Sequence, residues 1–100
     1  MKNLNTKTTI EEQNFIKLGN LIKKARIEKE MSLRDLYVLT GVNYKTIHKI
    51  ETAGMKKIDP IILAKLSNVL KIDFVRMMIL AGYFEVVFKL RYENNTEKFK

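Results

Sequence analysis

Two short segments with helical apolar spacing, separated by little more than a glycine, constrain this chain more than any other feature. Leu33, Leu36 and Leu39 recur three residues apart, and Ser32 followed by Asp35 forms a capping-box start with Asp in place of the commoner Glu. Gly41 stops the segment. Only Gly41 and Val42 intervene before Asn43, a second cap, which opens a helix over residues 44–51 with Ile47 and Ile50 again three apart. Helices this short are marginal alone in water, so they must bury their apolar stripes against each other and against the rest of the chain. The spacing predicts a helical corner that pushes its second helix outward.

The flanking pattern supplies the rest of a small all-α domain. Phe15, Leu18, Ile22 and Ala25 recur at spacings of three and four with Leu21 alongside, while Lys17, Lys23, Lys24 and Lys29 fall on other faces, which predicts an amphipathic helix from Phe15 to about Glu30. Residues 53–57 read as a loop. Asp59-Pro60 then restarts a helix whose apolar face is Ile62, Leu63, Leu66, Val69 and Leu70. Asp73 caps a fifth short helix through Ala81, and Gly82 can close it. A chain of 100 residues buries about 60–65% of its unfolded surface, enough for one core.

The ends read differently. Residues 1–14 are polar and are expected to form a flexible arm, residues 15–82 the helical domain, and residues 83–100 a C-terminal segment and tail. From Phe84, the residues Phe84, Val86, Phe88, Leu90 and Tyr92 alternate with Glu85, Val87, Lys89, Arg91 and Glu93, which predicts a strand. A helix using Phe84, Val87, Phe88 and Tyr92 is the alternative. A strand would need a partner, either residues 8–10 or the same segment of a second subunit, because its backbone donors and acceptors cannot stay unpaired.

Several function classes are disfavoured by what the sequence contains. With no Cys there is no disulfide, thiolate nucleophile or sulfur-ligated zinc. No apolar run approaches the roughly 20 residues of a membrane span, and residues 1–14 are too polar for a signal peptide, so a cytoplasmic protein without membrane contact is expected. His48 is the single His, and Ser32 and Ser67, the two Ser, have structural uses as a cap and as a small residue in the fourth helix. Glu11-Glu12 and Glu28/Glu30 are close in sequence only. We expect no enzyme, no cofactor and no metal site.

The charge points to a partner. Nineteen Lys and Arg against eleven Asp and Glu give a net +8, and ten of those cations but only four of the anions lie in residues 15–58. A solvated basic face would explain the charge taken alone. The helix over 44–51 is more specific, because turning Ile47 and Ile50 inward with Val42 leaves Tyr44, Lys45, His48 and Lys49 pointing out. Such a helix fits the DNA major groove, where Lys donates to guanine O6 and N7, while Thr46 or Tyr44 meets thymine methyls and phosphates.

Residues 18–80 resemble the Cro/CI-type helix-turn-helix regulators, the XRE family of phage and bacteria. The carrying segments are Leu18-Gly19-Asn20-Leu21-Ile22-Lys23-Lys24-Ala25-Arg26, Ser32-Leu33-Arg34-Asp35-Leu36, Thr40 to Glu51, and Pro60 to Leu70. The resemblance implies a five-helix lambda-repressor-like domain, bacterial or phage-encoded and associated with the nucleoid. It also implies a homodimer binding double-stranded DNA at a pseudo-palindromic operator, most simply as a repressor. Asn43 then corresponds to the cap of the recognition helix, and Tyr44, Lys45, Thr46 and Lys49, with His48, to base- and phosphate-facing positions. Arg34, Lys45, Lys56, Lys57 and Lys23 would neutralise phosphates. The resemblance further implies a partly buried ion pair between Arg26 and Glu51. We expect dimerisation to run through the fifth helix and the strand carrying Phe84, Val86, Phe88, Leu90 and Tyr92.

Three departures from the family pattern stand out. The first residue of the second helix, often a phosphate-holding Gln, is Leu33, so that contact is either lost or replaced by Ser32 or Arg34. Tyr37 occupies a helix crossing that usually takes a small residue, and needs shifted packing or an outward rotamer. Val38 and Leu39 stand where the family is usually polar. Leu33, Tyr37, Val38 and Leu39 are expected to enlarge the core; the alternative is an apolar patch for a protein partner. That alternative also carries the second functional reading, a protein-interaction module on the same fold, such as an antitoxin or co-regulator. An antirepressor protein would be a further partner.

Overall fold

The computed structural model describes residues 8–90 and contains six helices: α1 (Ile10–Glu28), α2 (Leu33–Thr40), α3 (Tyr44–Glu51), α4 (Pro60–Leu70), α5 (Phe74–Leu80) and α6 (Phe84–Phe88). The described residues form no strand, and the fold is all-α. Long α1 packs on α3, α4 and α5, α2 packs on α3 and α4, and α6 rests on α5. Leu18 and Ile22 of α1, Leu36 of α2, Ile47 and Ile50 of α3 and Leu63 and Leu66 of α4 meet in one core, closed by Met77 of α5. No helix of the described residues is long and apolar enough to cross a membrane.

The starts of α1 to α5 each have a side chain on their free backbone N–H groups, whereas α6 has none. Ser32 Oγ accepts from Asp35 N at 2.9 Å while Ser32 N donates to Asp35 Oδ2 at 2.8 Å. The Ser32 backbone N–H foremost, and then the Ser32 side chain, hold the Asp35 carboxyl below its ordinary pKa. Asn43 Oδ1 accepts from Lys45 N at 2.8 Å, and Asp59 Oδ1 accepts from Ile61 N at 2.8 Å with Pro60 in the first helical turn. Asp73 caps α5 through Val75 N.

The beginning of α1 corrects the sequence expectation. Residues 10–14, assigned to a flexible arm, form the first turn and a half of a helix that starts at Ile10 and not at Phe15. The reason is a full capping box: Thr9 Oγ1 accepts from Glu12 N at 3.0 Å, and Thr9 N donates to Glu12 Oε1 at 2.9 Å. A cap sets where a helix starts even when the first turn has little to bury. Residues 1–7 of the expected arm lie outside the described residues.

The C-terminal segment is the second correction. Residues 84–88 are helical, so the strand expected from alternation does not form. One expected strand partner, residues 8–10, is already used, since Thr9 caps α1 and Ile10 belongs to it. A helix meets its own backbone hydrogen bonds, which an unpaired strand cannot. The chain reverses at Gly82 with φ of +94°, and Tyr83 Oη donates to Ile58 O at 2.6 Å, fixing α6 against the loop before α4. Val87 then packs on the core, while Phe84, Val86, Phe88 and Leu90 face solvent. Arg91, Tyr92 and the polar tail lie outside the described residues.

In α2 the expectation of an enlarged core holds for one side chain and fails for three. Leu33 is half-buried against the core. Tyr37, Val38 and Leu39 are 40%, 75% and 58% exposed, because Leu36 and Thr40 already occupy the inward stripe of this two-turn helix.

Candidate nucleic-acid interface

The position of α3 is determined from three sides. Its inner stripe, Ile47 and Ile50, is buried with Val42, so the helix cannot roll without exposing two β-branched side chains. Ahead of it, the turn is locked by a side chain: Thr40 Oγ1 donates to Leu36 O at 2.7 Å and accepts from Val42 N at 3.0 Å, and Gly41 takes φ of +76°. That left-handed conformation favours Gly over any residue with a Cβ. The α2-to-α3 angle is therefore set within three residues.

Behind it, the end of α3 is pinned to α1. Arg26 Nε donates to Glu51 Oε2 at 2.7 Å and Arg26 Nη2 to Glu51 Oε1 at 3.0 Å, a side-on bidentate pair, while Arg26 Nη1 donates to Met31 O at 2.7 Å. The side chains are 12% and 3% exposed. The hydrogen bond to Glu51 outweighs burial and raises the Arg26 pKa above its already high ordinary value, so the guanidinium stays charged throughout the working pH range. Gly19 makes this crossing close: a Cβ there would stand 2.5 Å from Ile50 O and 2.6 Å from Glu51 O. Sequence reasoning gave Gly19 no separate role, although a Gly inside a helical pattern signals close backbone approach.

With its inner stripe used, α3 presents Tyr44, Lys45, His48 and Lys49 to solvent, and Thr46 is half-buried at the edge. Lys45, His48 and Lys49 stand at i, i+3 and i+4 and so share one face. Lys56 and Lys57 are exposed in the following loop, Arg34 is exposed near the start of α2, and Lys23 is exposed on α1. Ser32 is engaged in its cap, so at the N-terminal end of α2 the free cation is Arg34. Its guanidinium lies over the Tyr44 ring, 5.6 Å from the centroid, and the Tyr37 ring meets Tyr44 edge-on at 6.4 Å. Tyr37 has thus taken the outward rotamer. Among the described residues no group of three His, Cys, Asp or Glu side chains is arranged to hold a metal.

A short cationic helix held out from a corner is the arrangement that enters a DNA major groove. The family model described as Helix-turn-helix matches residues 22–76, which runs from the middle of α1 into α5. The chain belongs to this family, the Cro/CI-type XRE regulators, and it is a DNA-binding transcription regulator. Neither the search of curated proteins nor the search of solved structures found a match.

Proposed function

We propose that the protein is a homodimeric repressor that places α3 of each subunit in successive major grooves of a pseudo-palindromic operator. The observation that carries this reading is the division of α3 into a buried Ile47–Ile50 stripe and an exposed Lys45, His48 and Lys49 face. Lys45, Thr46, His48 and Lys49 contact base edges, and Asn43 fixes the start of the helix against the backbone. Arg34, Lys56 and Lys57, with Lys23, contact phosphates, which supply most of the affinity but no sequence information. The exposed Phe84, Val86, Phe88 and Leu90 support a dimer contact through α5 and α6.

Anisotropy of a labelled duplex from immediately upstream of the gene, against a random duplex, tests the reading. Binding to the upstream duplex is expected to be tighter and to weaken by orders of magnitude between about 50 and 200 mM salt. Lys49→Ala should abolish the preference between the two duplexes. Equal, weak binding to both would overturn the reading. The exposed Val38 and Leu39 support a second one, a protein-interaction module acting as an antitoxin or co-regulator, whose apolar contact would hardly respond to salt.

A further inference from the structure

Tyr44 stands at a position expected to read bases, yet its ring is engaged by two side chains of α2. Arg34 lies over it and Tyr37 meets it edge-on. Arg34 and Tyr37 are three residues apart and so emerge on one side of α2. Among the described residues Arg34 has no carboxylate partner, since the nearby Asp35 is committed to Ser32. Leu33, in the place where the family often carries a phosphate-holding Gln, is turned into the core and offers no polar group.

We propose that Tyr37 is a positioning residue for DNA binding: it holds the Tyr44 ring as a platform that directs the Arg34 guanidinium at a phosphate beside the start of α3. The inference rests on the DNA-binding reading above. A free Arg samples many rotamers, and fixing it costs conformational entropy when the phosphate arrives. Stacking on a ring limits those rotamers beforehand while leaving the N–H edges of the planar guanidinium open for a bidentate phosphate contact. Tyr37 contributes by the edge-to-face contact that aromatic pairs favour. A bulky residue at this helix crossing is then accommodated by an outward rotamer, and Tyr44 acts as a support for Arg34 and not as a reader of bases.

The test measures the salt dependence of binding to a random-sequence duplex, because a phosphate contact is independent of sequence. Arg34→Ala should flatten the slope of log K against log salt by about 0.9, the value of one neutralised phosphate. Tyr37→Ala should flatten it in the same direction and weaken binding about threefold to tenfold, the scale of one aromatic or cation–π contact. Tyr37→Leu, which keeps apolar bulk without a ring, should match Tyr37→Ala, and Tyr37→Phe should restore the slope. Combined with Arg34→Ala, Tyr37→Ala should cost nothing more. An unchanged slope in both Tyr37→Ala and Tyr37→Leu, or losses that add fully to those of Arg34→Ala, would overturn the inference alone. Salt-independent binding by the unmutated protein would overturn the DNA-binding reading and this inference with it.

Discussion

Glu51 is the residue on which the orientation of α3 depends most. Its carboxylate is almost fully removed from water and has both oxygens committed to Arg26. Removing one partner of such a pair is worse than removing both, because the remaining charge is buried and unpaired. Arg26→Ala is expected to destabilise the protein by about 3–5 kcal/mol in urea unfolding, and a loss under about 1 kcal/mol would mean the pair behaves as an exposed one. Asp35 gives a residue-scale pH dependence. Its folded pKa lies below the unfolded one, so its contribution is complete above the unfolded value near pH 4 and is lost as pH falls through the lower folded value. The thermal midpoint of Asp35→Asn should therefore lie below that of the unmutated protein at pH 7, with the gap closing in that acid range.

At the scale of elements, α1 and α3 cross closely at Gly19, with no room for a Cβ. Gly19→Ala must push the last turn of α3 away from α1, and we expect a loss of about 1–3 kcal/mol, read from urea unfolding, together with weaker DNA binding. Wild-type stability in this variant would mean that the crossing yields freely. The same scale explains what could be read from the chain beforehand. Ser32, Asn43, Asp59 and Asp73 announced their helices because a cap is a local interaction between neighbours in sequence. Thr9 and Glu12 carried the same signal for α1, but the polar residues between Ile10 and Asn14 concealed it from a reading based on apolar spacing. At Phe84 the alternation was real and the element was still a helix: period two says which side chains could share a face, and not whether a partner strand exists. The inward stripe of α3 was legible from Ile47 and Ile50, whereas the stacking of Arg34, Tyr44 and Tyr37 was not, because it depends on the angle between two helices. In α2, leucine spacing did not show that an eight-residue helix has room for only one buried stripe, filled by Leu36 and Thr40 with Leu33 at its edge.

For the whole molecule, the proposal distributes tasks between two ends. In that proposal the α2–α3 corner faces DNA, and the α5–α6 end, whose α6 has exposed aromatic and aliphatic side chains, is the expected subunit contact. Deleting residues 84–100, which spares the Tyr83 hydrogen bond to Ile58, is expected to convert a dimer into a folded monomer in sedimentation equilibrium. A truncated chain that remained fully dimeric would place the interface elsewhere. The central claim, that two copies of α3 read two half-sites, is tested most directly by selecting binding sequences from a random duplex library and sequencing the survivors. The account predicts an inverted repeat whose half-site centres lie about one helical turn, roughly 10 base pairs, apart, and whose preferred bases are lost with Lys49→Ala. Survivors with no shared sequence, or with a single half-site lacking any repeat, would contradict it.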